Sequence, residues 1–114
     1  MSPLADPVLL ATIRGVLDIW YVTDYVTWKN TARDWAGVNL PHSSLKDIAR
    51  LMHAHVMAGG VIDQVREQRP EWNDRDYHYD FRLPISGRLI YIETLLIDDD
   101  PTDPTLHIVS IHDA

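Results

Sequence analysis

The residues best suited to chemistry lie in the last third of the chain, spaced two apart. His78, Asp80 and Arg82 alternate with Tyr77, Tyr79, Phe81 and Leu83, the period of a strand with one apolar and one polar face. Tyr91 and Glu93 follow in the next apolar run, and Ser110 and His112 in the last. Taking Ser86-Gly87 as a two-residue hairpin loop sets Ile85 opposite Arg88. Arg82 then faces Tyr91, and Asp80 faces Glu93. Pairing Ile97 with Leu106 in the second hairpin brings Ser110 beside Glu93 and His112 beside Tyr91; a slip of one residue would send His112 into the core. Two facing carboxylates repel unless a cation stands between them, and Arg82 and His112 are the candidates. A carboxylate, a histidine and an arginine are also the parts for cleaving RNA by attack of a 2′-hydroxyl on phosphorus. Glu93 would take the proton, His112 would protonate the leaving oxygen, Arg82 or Arg88 would hold the phosphate, and Tyr91 completes the group. A solvated sheet face with weak cross-strand ion pairs collects the same residue types and is the commoner arrangement.

A second cluster is aromatic. Trp20, Tyr21, Tyr25, Trp28 and Trp35 fall within 16 positions, more than one helix face buries. Those left exposed would mark an interface or an apolar ligand pocket, and identical patches pair readily under twofold symmetry. Metal chemistry has little to build on. Cys is absent, and His53 and His55 point to different sides of a helix. Asp98, Asp99, Asp100 and Asp103 lack the glycine and terminal glutamate of a calcium loop and read as a solvated turn. No metal and no cofactor is expected.

The elements that must carry these residues divide into a helical and a strand half. Asp6-Pro7 starts a helix whose inner stripe is Leu9, Ile13, Val16, Leu17 and Trp20. The stretch from Ile19 to Gly37 reads as a continuing helix broken once, although many of its residues favour strands. Ser44 with Asp47 resembles a capping box ahead of Leu45, Ile48, Met52 and Val56, and Gly59-Gly60 ends that helix. Val61 to Arg69 fits a helix or a strand. Two or three N-terminal helices packed on a C-terminal three-stranded antiparallel meander make the expected fold α+β. The 114 residues form one domain, 1–114, of average hydrophobic content at 46%. Ten Lys+Arg against seventeen Asp+Glu leave a net charge of −7, which opposes gripping nucleic acid by bulk charge. The most apolar stretch, from Val8 to Trp28, is interrupted by Arg14, Asp18 and Asp24, so no membrane partner and a cytoplasmic location are expected.

Helices followed by a meander with Arg82, Tyr91, Glu93 and His112 on one sheet face resemble the small endoribonuclease toxins of the RelE and BrnT type. The resemblance covers roughly the last 70 residues and lies in element order rather than in a specific motif; those toxins are usually basic, unlike this chain. It implies a metal-independent ribonuclease with RNA as substrate. The expectation placed ahead of it is a self-associating binding module, a homodimer joined through Trp20, Tyr21, Tyr25, Trp28 and Trp35. That surface would alternatively take another protein or a small apolar ligand.

Overall fold

The computed structural model describes residues 2–114. A short strand, β1 (Ser2–Pro3), precedes helix α1 (Pro7–Asp18), whose N-cap Asp6 accepts from the amides of Val8 and Leu9. α1 buries Ile13, Val16 and Leu17. The expected continuation of this helix is not found. The chain turns after Ile19, passes Asp24 in a left-handed conformation (φ 75°) and forms β2 (Val26–Trp28) before α2 (Asn30–Asn39). Val26-Thr27-Trp28 has strand-favouring side chains, and its ladder with the last strand outweighs the helical spacing. α3 (Leu45–Met57) opens with the reciprocal Ser44–Asp47 capping box and buries Ile48, Ala49 and Met52; Gly59 beyond it is left-handed (φ 79°). β3 (Ile62–Arg66), β4 (Tyr77–Ile85), β5 (Arg88–Ile97) and β6 (Thr105–Asp113) follow.

The class is α+β, and among the described residues there are three α-helices and one mixed six-stranded sheet ordered β1-β3-β4-β5-β6-β2. The expected three-stranded meander behind the helices is therefore corrected. Residues 62–66 add an antiparallel strand beside β4, β1 extends that edge, and β2 pairs parallel with β6 at the other. Period-two patterning marks β4 clearly, whereas two- and three-residue edge strands leave no period to detect.

The β4–β5 register is the expected one, turning at Ser86 and Gly87, both with positive φ as a two-residue hairpin requires. In the next hairpin Ile97 pairs with Thr105, not Leu106, and Leu96 takes Leu106. A bulge then absorbs one residue of β6 between the partners of Glu93 and Thr94, so Ser110 still faces Glu93 and His112 still faces Tyr91. Without that extra residue the polar set of β6 would fall on the opposite face. The main core lies between sheet and helices, where Ile13, Leu17, Ile48 and Met52 meet Phe81, Ile90, Ile92 and Ile108. Among the described residues, the other sheet face carries no α-helix. Residues 67–76, with a 3₁₀ turn at Pro70–Trp72, cover one end of it, closed at their base by the Glu67 amide donating to the Asp76 carbonyl at 2.9 Å.

Candidate functional site

The helix-free face presents its side chains in rows. Asp63, Asp80, Glu93 and Ser110 are successive cross-strand partners in one row; Arg82, Tyr91 and His112 form the next. A row places Cβ atoms of adjacent strands about 5 Å apart, so every member reaches its neighbour. The four residues expected to share a face, Arg82, Tyr91, Glu93 and His112, are brought together.

The face is less solvated than a polar strand pattern implies. Asp80 is only 1% exposed and His78 only 8%. The 67–76 segment reaches this face as well: its Trp72 ring packs 5.8 Å from the His107 ring, and Arg69 pairs with Glu93. A buried carboxylate is tolerable only with good partners. Asp80 Oδ1 takes His78 Nδ1 at 2.6 Å, and Oδ2 accepts from the Tyr91 hydroxyl. Burial first, and then that bond to Asp80, push the Tyr91 phenol well above its ordinary range. Tyr91 is thus a neutral donor, fixed at its polar end. Its ring is held as well, with His112 stacked at 5.2 Å and the Arg82 guanidinium 5.6 Å from its centre.

Glu93 is bound on one side and open to one neighbour on the other. Its Oε2 is paired with Arg69, and its Oε1 lies 4.0 Å from His112 Nε2. His112 Nδ1 stands 2.9 Å from the Asp113 carbonyl, which can only accept, so Nδ1 carries a proton and Nε2 is the atom turned toward Glu93. Arg82 holds Asp63 at 3.3 Å, and Arg69 also holds the buried Glu67 carboxylate at 3.3 Å. A shallow cleft of about 400 Å³ opens beside His112, walled by Arg82, Leu89 and Tyr91. Glu93 is set back from it, its side chain 18% exposed.

Other expected site residues are dispersed. Arg88, the alternative phosphate holder, lies on the helical side, where it binds Asp113 and the Asn39 carbonyl and stacks on Trp35. The five aromatic residues do not form one surface. Tyr25, Trp28 and Trp35 pack against the core, and only Trp20 and Tyr21 touch as an edge-to-face pair, with Tyr21 58% exposed. Sequence reasoning missed Arg69, Glu67 and Trp72. The usable signal was length, since the connection from Arg66 to Tyr77 exceeds a tight hairpin and had to run somewhere. Nothing in its composition says that it folds back over the sheet.

Comparison of the chain with protein-family models, curated proteins and solved structures finds no match. Among the described residues, no helix is long and apolar enough to cross a membrane.

Proposed function

We propose that the helix-free sheet face is a metal-independent phosphodiester-cleaving site with RNA as substrate, the chemistry implied by the resemblance to RelE- and BrnT-type toxins. What carries the reading is the convergence of Glu93, His112, Tyr91, Arg82 and Arg69 from three strands and a loop onto one patch. Glu93 takes the proton of the 2′-hydroxyl as its oxygen bonds to phosphorus. His112, entering the step as the imidazolium, gives its Nε2 proton to the 5′-oxygen as the P–O5′ bond breaks, leaving a 2′,3′-cyclic phosphate, a free 5′-hydroxyl and a neutral imidazole. Arg82 and Arg69 face the charge that grows on the non-bridging oxygens. The Glu93–His112 separation of 4.0 Å suits the return step, since the proton gained by one can pass to the other across a single water. With a net charge of −7, affinity for RNA has to come from these local contacts rather than from the whole surface.

The test is cleavage of a short RNA by wild type, Glu93→Gln and His112→Ala. Loss of more than about a hundredfold in both variants is expected, the scale of general acid–base groups. Absence of cleavage by wild type, or equal traces in all three, ends this reading.

A second reading, the self-associating binding module, is supported by the exposed Tyr21, which meets a half-buried Trp20 edge to face. It requires a dimer mass in light scattering that Tyr21→Ser reduces to that of one chain.

A further inference from the structure

Ten Lys and Arg residues face seventeen acids in this chain, and what distinguishes a cation here is where it stands. Among the described residues, Arg50, Arg69, Arg75, Arg82 and Arg88 have acidic partners within 4.0 Å. Arg14, Lys29, Arg33, Lys46 and Arg66 have none, and of these Arg33 and Lys46 stand together. Arg33 donates to the neutral Asn30 side chain at 2.6 Å, and Lys46 to the Tyr21 carbonyl at 3.0 Å. Both line one cleft of about 360 Å³ between β2 and the starts of α2 and α3. Its apolar wall includes Trp20, Trp28 and Leu45, and its one acid is the exposed Asp24.

We propose that this cleft binds a planar aromatic anion, a fused ring or aryl group carrying a carboxylate or phosphate. Two indoles, Trp20 and Trp28, stand in the wall, and aromatic side chains favour a planar ring more than aliphatic walls would. Two cations against one carboxylate leave the rim net positive in an otherwise acidic protein, so charge selects an anionic ligand. Both cations are held by neutral acceptors, so a ligand anion displaces no existing ion pair. The first turn of α2 adds to this, because its N-cap residue, Lys29, offers the free amides no side-chain acceptor. The volume matches the lower end of small-molecule sites, room for a bicyclic ring with its anionic group. The site is separate from the sheet-face constellation and independent of whether that face cleaves RNA.

The experiment is calorimetric titration of the whole protein with 1-naphthoate and 1-naphthyl phosphate, beside uncharged 1-naphthalenemethanol and non-aromatic cyclohexanecarboxylate. Saturable binding of at least one aromatic anion is expected, with both control compounds weaker by about tenfold or more, equivalent to one lost charged contact or one lost stack. The tighter of the two anions identifies the carboxylate or phosphate source. Arg33→Gln and Lys46→Gln should each weaken that ligand about tenfold, whereas Lys46→Arg restores affinity, and Arg50→Gln and Glu93→Gln leave it unchanged. Circular dichroism matching wild type shows the variants folded. Trp20→Leu should abolish the preference for the aromatic acid over cyclohexanecarboxylate. The proposal is overturned by no saturation with either aromatic anion up to about 5 mM, weaker than most functional sites. It is equally overturned if the uncharged compound binds as well, or if both glutamine variants bind like wild type.

Discussion

Replacing Tyr91 by Phe isolates the bond that lets a carboxylate live inside the sheet face. The substitution keeps the ring, and with it the stack on His112 and the contact with Arg82, and removes only the hydroxyl that donates to Asp80. Asp80, a residue 1% exposed, then keeps the bond from His78 and loses the one from Tyr91. A hydrogen bond to a buried charged group contributes about 1.5–3 kcal/mol, and water cannot readily replace the donor at this depth. With a urea dependence of about 1–3 kcal/mol/M for a small domain, the unfolding midpoint should fall by about 1 M with the slope unchanged. Arg82→Ala is the contrast. Its pair with Asp63 has a side chain 46% exposed, and such pairs contribute less than about 1 kcal/mol. Asp80→Asn closes a cycle: an amide presents one acceptor oxygen to two donors, so the double variant should lose about 1–2 kcal/mol less than the two single losses combined. Urea unfolding followed by tryptophan emission reads wild type and the four variants. A Tyr91→Phe midpoint within about 0.2 M of wild type, or strict additivity in the cycle, would refute the claim that this donor holds the buried carboxylate.

Two further predictions concern the frame around the site. Burial, with a smaller contribution from Lys29, lowers the proton affinity of His107 below its ordinary 6.5, so the unfolded chain takes up a proton first as pH falls. His107 therefore favours the fold fully above about pH 6.5 and loses that contribution below it, and the wild-type melting temperature should drop more between pH 7 and pH 5 than that of His107→Gln. At Gly60 an added Cβ would overlap the His55 ring, which is itself held 2.8 Å from the Val61 carbonyl. Gly60→Ala should cost about 1–3 kcal/mol, measured by urea unfolding, while Gly37→Ala, with open space around it, costs nothing.

Local rules determined much of this protein before any tertiary contact. Asp6-Pro7 and the Ser44–Asp47 box start α1 and α3 where they should, because capping depends on residues three positions apart. Ser86-Gly87 and the alternation along Tyr77–Ile85 fix the central hairpin and set Arg82 against Tyr91 and Asp80 against Glu93, because a two-residue loop leaves little freedom of register. Tertiary structure decided the rest. Val26–Trp28 carries both helical spacing and strand-forming side chains, and only the distant β6 backbone, 80 residues on, selects the strand. The bulge in β6 corrects a register that pattern alone had set one residue off at Ile97, yet leaves Ser110 opposite Glu93 and His112 opposite Tyr91. The hold of Arg69 on Glu93 and the contact of Trp72 with His107 depend on a loop returning over the sheet. Its path is governed by contacts between residues far apart in the chain, and a two-residue or four-residue period carries no record of those.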